Sequence, residues 1–208
     1  MDENGMDLDN FEPVARIIVI GVGGAGNNAV NRMMDEHIDN VEFYVLNTDK
    51  QALATSKAPN RIVLGEEVTK GLGAGGNPSV GKEAAIQSTD TIRSIVKGAD
   101  MVFIAAGMGG GTGTGAAPVI ASICREEGAL TIAIVTRPFT FEGKTRIANS
   151  VSGLGELKDA VDSIIIVSND KLLMASGGVP ISQAFSESDR VLAQSVKTVT
   201  DLILLPAV

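Results

Sequence analysis

Gly107-Met-Gly-Gly-Gly-Thr-Gly-Thr-Gly115 is the most informative stretch of this 208-residue chain, because six of its nine residues are glycine. An ordered glycine costs roughly 0.5–1 kcal/mol relative to alanine, and a turn needs only one or two. The stretch follows an apolar run, Met101–Ala105, and precedes a helical pattern. Successive backbone amides at the start of a helix are typical of an anion-binding loop. Thr112 and Thr114 add hydroxyl donors for phosphate oxygens.

A second glycine-rich loop, Gly21-Val-Gly-Gly-Ala-Gly26, fits the G-x-G-x-x-G pattern after the apolar run Arg16–Ile20. This pattern is typical of dinucleotide enzymes, in which Asp49 would hold a ribose hydroxyl. A pyrophosphate needs one such loop, whereas a triphosphate with its metal can use two. The pair of loops therefore favours a nucleoside triphosphate. An NAD(P)-binding oxidoreductase of the Rossmann type is the alternative, and it leaves Gly107–Gly115 without a role.

Apolar runs alternate with helical patterns along most of the chain, which predicts an α/β fold with a doubly wound, mostly parallel sheet. Strands are predicted at 16–20, 41–46, 61–64, 101–105, 130–135 and 163–167, and helices near 26–36, 80–97, 115–127 and 143–161. From Ile181, apolar residues recur at three- and four-residue steps. They predict a helix of about 24 residues, roughly 36 Å long at 1.5 Å per residue.

Composition excludes several classes of function. Tryptophan is absent and aromatic residues make up 3 % of the chain, which argues against base-stacking platforms for nucleic acid. A single His and a single Cys exclude multi-histidine metal sites and internal disulfides. Without an apolar run long enough to span a bilayer, we expect no membrane insertion and a cytoplasmic location. The net charge of −8 comes largely from five acidic residues within 1–12.

The chain divides into three predicted segments. Residues 1–12 are acidic, lack periodic apolar residues, and are predicted to be a disordered tail. Residues 13–180 form the predicted nucleotide-binding domain, and residues 181–208 hold the long helix.

Several motifs occur together in the order typical of one family. They are GVGGAGNN at 21–28, NTD at 47–49, GLGAGGNP at 71–78, GGGTGTG at 109–115 and TRPFTFEGKTR at 136–146. With these motifs the chain resembles the tubulin/FtsZ family of GTPases, and within it the bacterial cell-division members, over about residues 13–205. The resemblance implies a Rossmann-like GTPase domain that ends in a long central helix.

The resemblance also implies a set of GTP- or GDP-binding residues, with Mg²⁺ held through the phosphates and no direct metal ligand. The α/β-phosphates are expected on Gly23, Gly24, Ala25, Gly26, Asn27 and Asn28, and the β/γ-phosphates on Gly110, Gly111, Thr112 and Gly113. Glu142 and Arg146 are expected to contact ribose and the neighbouring phosphate, and Asn169, Phe185 and Asp189 the base. Gly107 and Thr136 are expected to be nucleotide-binding residues without a more specific contact. A carboxylate can accept from both N1–H and the 2-amino group of guanine, which adenine cannot offer. A further implied role is that Asp49 assists the positioning of metal or water.

The family's activity is GTP hydrolysis in head-to-tail cytoskeletal filaments that build the division septum at mid-cell. Its catalytic acid lies in a loop after the central helix, followed by a second domain, and this sequence stops at Val208 before that loop. We therefore expect the chain to carry no catalytic residue. It should bind GTP or GDP without hydrolysing or polymerising efficiently alone. Other FtsZ-type subunits and the missing second domain are the expected partners.

Overall fold

The computed structural model describes residues 15–38 and 40–204. Six parallel strands form one sheet in the order β3-β2-β1-β4-β5-β6. The strands are β1 (Ile17–Val22), β2 (Val41–Asn47), β3 (Asn60–Val63), β4 (Met101–Gly107), β5 (Leu130–Arg137) and β6 (Ser163–Ser168). This confirms the predicted doubly wound parallel sheet. The predicted tail at 1–12 lies outside the described residues.

Helices cover both faces of the sheet. They are α1 (Gly23–Asp35), α2 (Lys50–Ala54), α3 (Glu66–Thr69), α4 (Pro78–Gln87), α5 (Thr89–Val96), α6 (Thr112–Glu126), α7 (Lys144–Ala160), α8 (Asn169–Ala175) and α9 (Ile181–Leu204), with a 3-10 turn at Thr140–Glu142. The predicted helical segment 80–97 is two helices rather than one. At Ser88 the backbone leaves the helical region (φ −93°, ψ 12°), and the Ser88 hydroxyl accepts from Gly65 N at 2.9 Å.

The strands read as continuous apolar runs because two separate cores cover the sheet. In β1, Ile18 and Ile20 pack into the core under α4, α5, α6 and α7, whereas Ile17 and Val19 pack against α1 and α9. All six residues of β1 are buried. The 24-residue helix predicted from Ile181 is α9, and it buries Leu192 and Val196 beside α1. Its first two turns thereby lie next to the carboxyl ends of the strands.

Close contact between α4 and α6 depends on two glycines. A Cβ added at Gly115 would lie 1.9 Å from the carbonyl oxygen of Pro78, and one at Gly81 would lie 2.3 Å from that of Gly111. Neither position can hold a larger residue without moving backbone. This packing fixes the start of α6, and with it the end of the Gly107–Gly115 loop.

Candidate functional site

The two glycine-rich loops meet at one point of the sheet. The first follows β1 and the second follows β4, and these strands are neighbours with Gly21 opposite Ala105. Their chain connections run to opposite sides, so the loops open at the switch point where doubly wound sheets bind ligands. The loops also touch, because a Cβ added at Gly23 would lie 3.0 Å from Gly113 N.

Both loops line a single cavity of about 260 Å³. The structure brings 14 of the 17 predicted binding residues to it. These are Gly23, Gly24, Ala25, Gly107, Gly110, Gly111, Thr112, Gly113, Thr136, Glu142, Arg146, Asn169, Phe185 and Asp189. The sequence reasoning missed four lining residues, namely Val22, Met108, Pro138 and Ser188. Each of the four lies within two positions of a predicted residue, which is the only signal that could have found them.

Three predicted residues are not among those that line the cavity. A Cβ at Gly26 would lie 2.3 Å from the carbonyl oxygen of Ala105, so Gly26 permits close packing of α1 on β4. Asn27 is buried, and its amide nitrogen, in the orientation that satisfies both polar atoms, donates to Gly23 O at 2.8 Å. Asn28 Nδ2 donates to Asp189 Oδ2 at 3.3 Å. In this structure the second half of the loop shapes its surroundings rather than lining the cavity.

The glycines of the second loop serve two purposes. No atom lies within 4 Å of a Cβ built on Gly110, which leaves that backbone open. By contrast, a Cβ on Gly113 would lie 2.6 Å from Gly107 O, and one on Gly111 would lie 2.9 Å from Asn77 N. The explanation of six glycines by ligand approach alone was therefore wrong, since backbone packing requires several of them. The Thr112 hydroxyl lies 2.7 Å from the buried Thr48 hydroxyl, at the edge of the cavity that Thr112 lines.

An ion pair forms one wall of the cavity. Arg146 donates to Glu142 Oε1 at 2.9 Å, and Glu142 Oε2 accepts from Phe139 N at 2.8 Å. The second bond ties the Glu142 carboxylate to the 3-10 turn. The pair thereby presents one carboxylate and one guanidinium side by side at the cavity.

A second group of lining residues supplies an acceptor, an amide and an aromatic ring. Asn169 and Ser188 are buried, and the Ser188 hydroxyl donates to Asn169 Oδ1 at 2.7 Å. Burial raises the pKa of Asp189 to about 6, opposed by the Asn28 hydrogen bond and the charge of Arg32. Phe185 also belongs to this group and is 40 % exposed. An ionised carboxylate held away from water is poised to accept hydrogen bonds from a ligand.

Asp49 is not among the residues that line the cavity. Its carboxylate caps α2, where Oδ1 accepts from Gln51 N at 2.8 Å and from Ala52 N at 3.3 Å. Its suggested role in positioning metal or water stays a prediction. Among residues 15–38 and 40–204, no cluster of three or more His, Cys, Asp or Glu side chains could hold a metal ion. Within the same residues, no helix is both long enough and apolar enough to cross a bilayer.

Fold and cavity together define a doubly wound α/β domain whose two glycine loops face one ligand site. Residues 16–177 match the model of the tubulin/FtsZ family, GTPase domain. The chain belongs to the tubulin/FtsZ family. Because the strand order is also that of dinucleotide-binding folds, it is the family match, not the sheet, that disfavours the oxidoreductase alternative.

Solved structures of FtsZ are similar to this chain. An empty FtsZ dimer from M. jannaschii is 46 % identical with a TM-score of 0.89, over 91 % of this chain and 55 % of that one. A W319Y mutant of FtsZ from the same organism is also 46 % identical with a TM-score of 0.89, over 91 % of this chain and 57 % of that one. The GDP-bound monomer of CetZ1 from Haloferax volcanii is 24 % identical, with a TM-score of 0.76 over 86 % and 58 %, and supports the fold alone. The chain thus spans little more than half the length of these structures.

Proposed function

We propose that the cavity binds GTP or GDP, with the phosphates on the two glycine loops and guanine beside Asp189. The juxtaposition of both loops around one cavity carries this proposal, because a triphosphate is the ligand that needs two amide-lined surfaces. Gly24 and Gly110 leave their backbone open toward it. The helix dipoles of α1 and α6 add positive potential at the same end.

Guanine selectivity would follow from the group that contains Asp189 and Phe185. The Asp189 carboxylate would accept from N1–H and from the 2-amino group, while Phe185 offers an aromatic face for stacking. Adenine presents an acceptor at N1 and no 2-amino group, so it would offer the half-buried carboxylate no hydrogen-bond donor in place of those of guanine. A site built around such a hydrogen bond rejects the analogue that lacks it.

Charge neutralisation of the phosphates would come from backbone amides, Arg146 and Mg²⁺. The cavity fits this assignment of the metal, because its only two acidic lining residues among those described are Glu142 and Asp189. Both are assigned to ribose and base, so phosphate oxygens and water rather than protein carboxylates would ligate the ion. When bound, Mg²⁺ would neutralise charge that develops on the phosphates.

Hydrolysis, head-to-tail polymerisation and a place in a cytoplasmic division ring are proposals for the whole protein. They rest on the family and on the resemblance to FtsZ. Since both acidic lining residues are assigned to ribose and base, no carboxylate that lines the cavity is left to position the attacking water. We therefore propose that this chain alone binds nucleotide with negligible turnover.

Equilibrium titration of fluorescent mant-GTP, with competition by GTP, ATP and NAD⁺, tests the proposal. We expect displacement by GTP and not by ATP or NAD⁺. Asp189→Asn should weaken GTP binding at least tenfold, since hydrogen bonds to a charged group contribute about 1.5–3 kcal/mol. The matched control is Asp201→Asn on the same helix, whose carboxylate pairs with Lys197 near the surface. Tight NAD⁺ binding without GTP binding would overturn the proposal.

A further inference from the structure

Three aromatic rings cluster beside the lining residues assigned to guanine. Phe139 and Phe141 belong to the TRPFTFEGKTR motif, and Phe185 lies in the second turn of α9. Only Phe185 lines the cavity. The other two rings have no role in the proposed ligand contacts, although one of them is conspicuously exposed.

The three rings have a defined mutual geometry. Phe139 and Phe141 stack with their centroids 4.8 Å apart and an interplanar angle of 11°. The Phe185 ring is nearly perpendicular to both, at 5.1 Å and 82° from Phe139 and at 6.2 Å and 86° from Phe141. Both separations lie in the range where edge-to-face pairs are favourable. Two such contacts restrain the tilt of the Phe185 ring as well as its position.

The stacked pair is itself firmly held. The Phe139 ring is fully buried, and its backbone nitrogen donates to Glu142. Thr140 lies between the two phenylalanines in sequence. Its backbone N and its Oγ1 donate to the two carboxylate oxygens of Asp170 at 2.9 and 2.6 Å. These bonds lower the pKa of Asp170, which keeps the carboxylate ionised at neutral pH. The turn is therefore anchored to α8 on one side and to the core on the other.

Phe139 and Phe141 differ in how far their side chains are exposed to solvent, and this difference indicates different roles. Phe139 is core, but Phe141 is 49 % exposed and Phe185 is 40 % exposed. A half-exposed ring adds little to the core, whereas a ring held in place before its ligand arrives avoids the entropy loss of ordering on binding. We infer that Phe141 is a positioning residue that holds the Phe185 ring in the plane against which a purine base stacks. This inference rests on the proposed function, since it assumes a base at Phe185.

The test measures binding of mant-GTP to Phe141→Leu and to Phe141→Tyr. Loss of one aromatic pair should weaken binding roughly three- to tenfold in the leucine variant, and the tyrosine variant should retain wild-type affinity. Tripolyphosphate, which has no base, should displace mant-GTP from the Phe141→Leu variant with the same inhibition constant as from wild type. Ile86→Ala is the matched control, because Ile86 is a 55 % exposed apolar residue of α4 that does not line the cavity.

A double-mutant cycle asks whether Phe141 acts through Phe185. In a Phe185→Leu background, adding Phe141→Leu should change affinity by no more than about twofold. Equal losses in both backgrounds, equal losses for GTP and tripolyphosphate, or no loss at all would overturn the inference while leaving the proposed function intact. If the wild-type chain binds no mant-GTP, the proposed function fails and the inference falls with it.

Discussion

Asp189→Asn should stabilise the nucleotide-free protein at neutral pH while impairing guanine binding. Asp189 is half-buried and its pKa is raised to about 6, chiefly because burial disfavours the charged form. The asparagine that replaces it has nearly the same shape and can still accept the hydrogen bond from Asn28 Nδ2. The substitution therefore removes the buried charge and preserves the contact.

The magnitude and sign follow from proton linkage. The pKa of the Asp189 carboxyl rises from 3.8 to about 6 on folding. At pH values above both pKa values, this shift lowers the free energy of unfolding of the protein by about 3 kcal/mol, at roughly 1.36 kcal/mol per pKa unit. The loss grows as pH rises from about 4 to about 6 and is absent below about pH 4. Because asparagine must also be desolvated and the side chain is partly exposed, we expect a net gain of about 1–2 kcal/mol at pH 7.5.

Urea unfolding followed by circular dichroism at pH 7.5 and pH 4.0 measures this difference, and both values avoid the isoelectric point near 4.7. We expect stabilisation at pH 7.5 and near-identity with wild type at pH 4.0. Asp170→Asn is the control of opposite sign, since hydrogen bonds from Thr140 lower the pKa of Asp170. It should destabilise the protein at pH 7.5, with less effect as pH falls. Destabilisation by Asp189→Asn, or an equal shift at both pH values, would refute the desolvation reasoning.

Three further predictions concern ligand affinity, packing and thiol reactivity. Protonation of Asp189 removes an acceptor for the guanine donors, so GTP affinity should fall below about pH 6 in wild type and not in Asp189→Asn; a parallel decline in both would count against this contact. Gly115→Ala should destabilise the domain by about 3 kcal/mol or more in a urea titration, because its Cβ would overlap the carbonyl of Pro78. Gly155→Ala, in open space on α7, should be neutral or stabilising. Cys124, whose pKa burial raises to about 12, should react with a disulfide reagent only as fast as the protein unfolds; rapid labelling under native conditions would contradict its burial.

The pattern of apolar residues along the sequence was sufficient to predict the strands and the long helices, but it did not reveal the short helices. Continuous apolar runs located all six strands to within about two residues. In the central strands β1 and β4 the reason is burial on both faces, which needs apolar side chains throughout, whereas β3 and β6 lie at the edges of the sheet and are partly exposed. The helices α2, α3 and α8 have four to seven residues, too few for a 3.6-residue period to register. The break at Ser88 escaped notice for a related reason, since the backbone leaves the helical region there without interrupting the apolar pattern.

The candidate site divides in a similar way. The glycine loops are local signals, so the sequence alone is enough to select Gly23, Gly24, Gly110 and Gly113. Asn28 and Asp189 could not be paired from sequence, because 161 positions separate them and only the packing of α9 on α1 brings them within 3.3 Å.

The sequence by itself determined the sheet, the two glycine loops and the family, since each depends on short runs of neighbouring residues. Only the tertiary structure decided which of the cavity-lining glycines are also required for packing, because Gly110 and Gly111 both line the cavity but only a Cβ on Gly111 would meet other atoms. It also decided that the Phe185 ring lies edge-to-face against Phe139 and Phe141 and that Asp189 is desolvated. The burial of Asp189 and the arrangement of the three phenylalanine rings arise from contacts between segments that are distant in sequence, so no local sequence pattern could predict them.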